Sequence, residues 1–180
     1  MDTVYTLGHS TRPLDDFLAL LAAHGVGQIL DVRTVPKSRH NPQFAQSALE
    51  RSLPAAGVAY HHLARLGGLR HARPNSANTG WRNASFRGFA DYMQTPEFAS
   101  GLEELEGLAR ERPSAILCAE AVPWRCHRSL IADALTVVGW RVLDIIGAGA
   151  PRPHRLTPFL HVVEGKLLYA EGEQPPPSGP

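Results

Sequence analysis

Ala115-Ile-Leu-Cys-Ala-Glu-Ala-Val-Pro-Trp-Arg-Cys-His-Arg-Ser-Leu-Ile-Ala-Asp-Ala-Leu135 carries the pattern on which the fold reading rests. Its apolar start, Ala115 to Leu117, reads as a buried strand, and its end, Ser129 to Leu135, reads as a helix. Between them, Cys118 to Arg128 holds both cysteines of the chain, one carboxylate, one histidine and two arginines. In open α/β sheets ligands bind in the crevice beyond the carboxyl ends of the strands. A helix amino end also leaves backbone N–H groups unpaired and able to hold anions. The segment therefore predicts a strand end, a loop and a helix start that carry the chemistry.

Working outward, the same alternation recurs. Val4 to Leu7 reads as a strand, followed after Pro13 by a helix with Leu14, Phe17, Leu18 and Leu21 on one face and His24-Gly25 as its stop. Gln28 to Arg33 is a second strand, and a polar connection punctuated by Pro36 and Pro42 leads to a helix over Ala45 to Ala56. Val58 to His62 is a third strand. Leu63 to Gly88 has no regular pattern and reads as a functional flap or a partly mobile connection. Helical spacing resumes from Phe89 to Arg110, with Thr95-Pro96 starting a fresh helix. Ser114 to Ala119 is the fourth strand, Arg125 to Val138 the next helix, and Trp140 to Ile146 the fifth strand. Leu160 to Val163 and Lys166 to Tyr169 flank Glu164-Gly165 as a hairpin. This order predicts an α/β fold: a mostly parallel sheet of five or more strands with helices on both faces. A single domain over 1–170 is expected, with 171–180 as a Pro-rich flexible tail.

Composition narrows the class. Apolar residues at 43% and charged residues at 19% describe an ordinary globular chain. No apolar run approaches the ~18–20 residues that span a bilayer, and the amino terminus lacks the basic start and apolar core of an export signal. Two cysteines are too few for a disulfide framework. A cytoplasmic protein without membrane contact is expected, its oligomeric state left open. From Val32 to Ala90 there are nine Lys or Arg and one acid, Glu50. That asymmetry points to a basic face and an anionic small molecule or nucleic acid as partner.

Four residues of the central loop are candidates for catalysis. Cys126, in the first turn of the expected helix and beside Arg125, His127 and Arg128, should have its thiol pKa lowered. Cys118, at a strand end, suits either function or packing. Glu120 suits a general base, and His127 a proton shuttle near neutral pH. Anion ligands are expected from His9 and Ser10 after the first strand, from Arg33, Ser38, Arg39 and Asn41 after the second, and from Arg128; Lys37 adds an ammonium. Asp31 suits a buried partner for an arginine. The spacing of Cys118, Cys126 and His127 matches no common zinc pattern, so no metal is expected. Nor does the chain carry a dinucleotide fingerprint, a Walker loop or a nucleophile elbow, and no cofactor is expected.

Gly8-His-Ser10, Asp31-Val-Arg33 with Pro36, Ser38, Arg39 and Pro42-Gln-Phe44, Cys118-Ala-Glu-Ala, and Cys126-His-Arg-Ser129 together resemble an uncharacterised bacterial family, the domain of unknown function 488. The resemblance runs from about Tyr5 to Ile146. It implies a compact cytoplasmic α/β domain with a polar cleft and no established reaction. A weaker similarity links Leu30-Asp-Val-Arg33, Arg128-Ser-x-x-Ala132, Leu135 and Gly139-Trp140 to rhodanese-type sulfurtransferases, with Cys118 in place of the persulfide cysteine. Nine residues separate Cys118 from Arg128 here, about twice the loop of that fold. An enzyme acting on an anionic substrate is the leading expectation. The alternatives are a non-catalytic nucleic-acid-binding module and a sulfurtransferase.

Overall fold

The computed structural model describes residues 1–171. Strands β1 (Thr3–Gly8), β2 (Gln28–Asp31), β3 (Ala59–His62), β4 (Ser114–Cys118) and β5 (Arg141–Ile145) run parallel. A two-residue strand, β6 (Arg152–Pro153), joins β5 antiparallel, giving the order β3-β2-β4-β1-β5-β6. Helices α1 (Leu14–Ala23), α2 (Gln46–Ala55), α3 (Ala84–Tyr92), α4 (Pro96–Glu111) and α5 (Arg128–Val137) surround the sheet. The expected late hairpin is present as β7 (Leu160–Val163) paired with β8 (Lys166–Tyr169).

Period-two alternation on β4 divides the interior. Ala115 and Leu117 face one apolar core with Phe17, Leu20 and Leu21 of α1 and Leu49 and Leu53 of α2. Ile116 and Cys118 face the other, with Phe89 of α3, Phe98 and Leu105 of α4 and Leu130, Ile131 and Leu135 of α5. Both faces are thus covered by helices, and every residue of β2 and β4 is buried, as central parallel strands require. Burying each such Leu, Ile or Phe contributes about 1.5–3 kcal/mol.

The connectivity sets the position of the site. β4 lies between β2 and β1. The chain leaves β1 and β2 for helices α1 and α2 on one face, and leaves β4 for α5 on the other. Connections diverging from neighbouring parallel strands open a crevice at the carboxyl end of the sheet.

Several boundaries differ from the sequence reading. β2 stops at Asp31, so Arg33 belongs to the following loop rather than to the strand. α5 starts at Arg128, with His127 as its N-cap residue and a 3₁₀ turn over Pro123–Arg125 ahead of it. Cys126 therefore precedes the helix instead of occupying its first turn, and its backbone is extended (φ −137°, ψ 146°). α3 begins at Ala84, inside the stretch read as irregular.

The rest of that stretch is fastened. Asp91 accepts from Arg73 N, Ser76 Oγ and Asn78 Nδ2, while Asn78 Oδ1 accepts from Tyr169 N. Trp81 stacks on Phe86 and meets Phe159 edge-on. Of the tail expected over 171–180, residues 172–180 lie outside the described residues. No helix among those described is long and apolar enough to cross a membrane.

Candidate functional site

A cleft of about 700 Å³ opens where the crevice was expected. Its walls come from the segments following three strands: His9 and Ser10 after β1, Arg33 to Ser38 and Asn41 after β2, and Cys118 to Ala121 with Arg125 to His127 after β4. Gly68, Asn83, Ser85 and Phe86 close the far side.

The ends of β1 and β4 are laced together. His9 N donates to the Cys118 carbonyl at 3.0 Å, and Ser10 N to the Ala119 carbonyl at 2.9 Å. Ser10 takes φ 52°, the left-handed region that non-glycine residues rarely occupy. Gly8 is required by close approach: a Cβ there would overlap the carbonyl of Glu120. That carbonyl is the inner side of the loop, whereas the Glu120 side chain is exposed at the rim of the cleft.

Arg128 organises the floor. It is wholly buried, yet among the described residues it contacts no carboxylate directly. Its Nη1 donates to Cys118 Sγ at 2.6 Å and to the Glu120 carbonyl at 2.5 Å, Nη2 to the Ala121 carbonyl at 3.2 Å, and Nε to Thr6 Oγ1 at 3.4 Å. A buried guanidinium without a counter-charge is costly. The group positioned to supply that charge is the sulfur of Cys118.

Two opposing effects act on the Cys118 thiol. Burial raises its pKa, but the hydrogen bond from Cys126, the Arg128 charge and the Arg128 hydrogen bond lower it more, to about 7 from an ordinary value near 9. Cys126 moves the other way. Its hydrogen bond to Cys118, its burial and the negative charge next to it hold its thiol well above the usual range. The sequence reading assigned the activated thiol to Cys126 through a helix dipole. The structure reverses the pair, because Cys126 lies outside the helix and the guanidinium reaches back to Cys118.

His127 Nε2 donates to two carbonyls, Val32 at 2.9 Å and Leu66 at 3.0 Å, which leaves Nδ1 as an acceptor 3.5 Å from Cys126 Sγ. Burial lowers its pKa to about 4, against the two carbonyl bonds and with help from the charges of Arg128 and Arg70. His127 is thus neutral at pH 7 with a defined tautomer. Gly68 lies against this ring where a Cβ would strike it.

His9 is also held neutral. Burial, aided by the Arg33 charge, lowers its pKa to about 4 against the bond from its Nδ1 to the Ser10 carbonyl. It stacks on Phe44 at 4.3 Å between ring centroids and accepts from Arg33 Nη1 at 3.3 Å.

The cations near these segments fall into four groups. Arg33 lines the cleft, but its charge is met by Asp31, with Nη2 to Oδ2 at 2.6 Å and Nε to Oδ1 at 2.9 Å. Tyr60 Oη also donates to Asp31 at 2.7 Å. Arg128, expected among the anion ligands, lies beneath the floor. Arg39 is exposed and does not line the cleft. Exposed Lys37 and Arg125 face the opening, where Ser10, Ser38 and Asn41 add hydroxyls and an amide. Of the nine basic residues between Val32 and Ala90, only Arg33 and Lys37 reach the cleft.

Asn83 and Ser85 were not singled out from the sequence, although Asn83 followed by a helical run is a capping signal that could have found them. Among the described residues no group of three His, Cys, Asp or Glu is placed to hold a metal. A larger cavity, about 900 Å³, lies among Trp81, Trp124, Arg152, Arg155 and Phe159. Among the described residues no cysteine lines it, and its His154 is already paired with Asp133 at 2.8 Å and Asp144 at 3.6 Å.

Residues 13–135 match the family model described as Domain of unknown function DUF488. No curated protein and no solved structure matches the chain, and the rhodanese resemblance finds no support in these comparisons.

Proposed function

The chain belongs to the DUF488 family, and from that premise we propose that the cleft is an active site in which the Cys118 thiolate attacks an anionic substrate. One observation carries this reading: the wholly buried Arg128 directly contacts no carboxylate among the described residues, and its Nη1 reaches the Cys118 sulfur at 2.6 Å. A thiolate kept by a guanidinium is a competent nucleophile near neutral pH. Lys37 and Arg125 at the opening, against the single exposed carboxylate of Glu120, favour a negatively charged group there. Ser10, Ser38 and Asn41 offer hydrogen bonds to its oxygens. Glu120 at the rim is the group suited to exchange protons with solvent, and neutral His127 keeps Cys126 in place behind the nucleophile.

Two alternatives receive less support. A nucleic-acid-binding module needs the basic stretch on one surface, whereas only two of its nine cations line the cleft. Sulfur transfer needs a tight cradle of N–H groups around one sulfur, whereas here nine residues follow Cys118 before Arg128 and side-chain donors surround the thiol.

Paired alkylation tests both halves of the proposal. Iodoacetate is anionic and iodoacetamide neutral, so their rate ratio at Cys118 reports the field of the cleft. The expected ratio exceeds that of a small neutral thiol by about fivefold or more, with a half-maximal rate near pH 7. It should fall in Lys37→Glu and Arg125→Glu. A ratio equal to that of the small thiol removes the anion site, and failure to alkylate Cys118 below pH 8 removes the nucleophile.

A further inference from the structure

The cleft contains a second sulfur that nucleophilic attack on an anion leaves unused. Cys126 lines the same cleft as Cys118, both cysteines are free, and each thiol acts on the other's ionisation, which places them as neighbours. Neither sulfur faces a lone apolar wall: Arg128 Nη1 donates to one and Arg128 N, at 3.5 Å, to the other. A disulfide requires the two sulfurs to approach to bonding distance. The backbone of Cys126 is held at both ends, its N–H on the Pro123 carbonyl and its carbonyl under Ser129, so rotation of its side chain must supply that approach.

We propose that Cys118 and Cys126 form a dithiol centre that reduces a hydroperoxide and closes a disulfide between them. The Cys118 thiolate attacks the terminal oxygen of the peroxide. A sulfur–oxygen bond forms, the oxygen–oxygen bond breaks, and the alkoxide leaves as an alcohol with the proton of the Cys126 thiol. Cys118 is now a neutral sulfenic acid and Cys126 a thiolate. That thiolate attacks the Cys118 sulfur, the sulfur–sulfur bond forms, the sulfur–oxygen bond breaks, and the departing hydroxide is neutralised to water by a proton from the buffer. The two sulfurs together lose two electrons, and the peroxide gains them.

Electrostatics order the two steps. While Cys118 is a thiolate, its charge keeps the proton on Cys126, so only one sulfur is armed. Oxidation to the sulfenic acid removes that charge. Arg128 then loses the thiolate it contacts, and Cys126, which already accepts from the Arg128 backbone N–H, is the second thiol able to take up that charge. The same guanidinium thus serves the attacking sulfur and then the resolving one. A closed disulfide leaves Arg128 buried and uncompensated, so the reduced state is favoured and a small dithiol should reopen the bond. The proposal shares the Cys118 thiolate with the function proposed above and requires none of the anion binding.

The test is equimolar hydrogen peroxide added to the reduced full-length protein at pH 7, followed by intact mass and peptide mapping. The expected product has lost about 2 Da, carries a Cys118–Cys126 cross-link and returns to the starting mass with dithiothreitol. Cys126→Ser should stop at the sulfenic acid, trapped by dimedone, with a gain of about 16 Da before trapping. Cys118→Ser should not react. Failure of the wild-type protein to cross-link, or equal oxidation of Cys118→Ser, overturns the proposal. If cross-linking fails while the iodoacetate preference stands, only the dithiol chemistry is lost.

Discussion

Gly8 is the point at which one atom decides the loop. The carbonyl of Glu120 occupies the space a Cβ would need, and Arg128 holds that carbonyl in place. Gly8→Ala is expected to destabilise the protein by about 2–3 kcal/mol, through overpacking against backbone that cannot give way. The Cys118 alkylation midpoint should rise at the same time toward the ordinary thiol range, since the displaced loop carries Arg128's acceptors with it. Urea unfolding and the pH dependence of alkylation measure the two effects separately. At this scale the sequence pointed to one segment whose side chains the structure gathers at the cleft. Cys118, Glu120, Cys126 and His127 do share one wall with His9, Ser10, Arg33, Ser38 and Asn41. Which thiol carries the charge was not legible, because it depends on where the Arg128 side chain points. A helix-dipole argument sees only the helix and its flanking residues, whereas Arg128 reaches Thr6 on β1, Cys118 on β4 and two carbonyls of the loop after β4.

Among the elements, α3 shows how a cap reveals a helix that periodicity hides. Asn83 Oδ1 accepts from Ser85 N at 2.9 Å and Phe86 N at 3.2 Å, and so starts α3 at the edge of the cleft. Ahead of Phe89 the helix offers only Ala84 and Phe86 as apolar residues, so no stripe announced it. Asn83→Ala should cost about 1 kcal/mol, with Asn83→Asp retaining most of that stability; thermal unfolding of the three proteins checks the ranking. Thr95-Pro96 was read correctly for the same local reason, with Thr95 Oγ1 accepting from Phe98 N. α5 started later than its sequence suggested because Pro123 nucleates a separate 3₁₀ turn. β6 escaped notice at two residues long, too short for any alternation to register.

For the whole molecule, three buried histidines set the pH range of stability. The folded pKa of His9 and of His127 is about 4, below the unfolded value of about 6.5. Their contribution is complete above about pH 6.5 and is lost as the pH falls through 4. His154 is the reverse. Burial opposes its charge, but hydrogen bonds to Asp133 and Asp144 prevail and raise its pKa to about 9. Its contribution is complete below about pH 6.5 and is lost as the pH rises through 9. The histidine contributions taken together are therefore greatest near pH 6.5, whereas Cys118, lowered from about 9 to about 7, contributes stability that is complete above about pH 9 and lost as the pH falls through 7. The gap between the wild-type protein and His154→Gln, on the order of 2–3 kcal/mol at pH 6, should narrow by pH 9.5. Urea unfolding across pH 4 to 9.5 tests this, and a gap independent of pH would remove His154 from the account. By itself the sequence determined the alternation of strands and helices, the late hairpin and the chain positions where reactive groups gather, because propensity, periodicity and turn chemistry act between near neighbours. Only the tertiary structure decided that β4 sends its chain to the opposite face from both flanking strands, that Arg128 lies buried against Cys118, and that most of the basic stretch turns away from the cleft. Burial and charge pairing are set by contacts between residues far apart in the chain, and no local pattern encodes them.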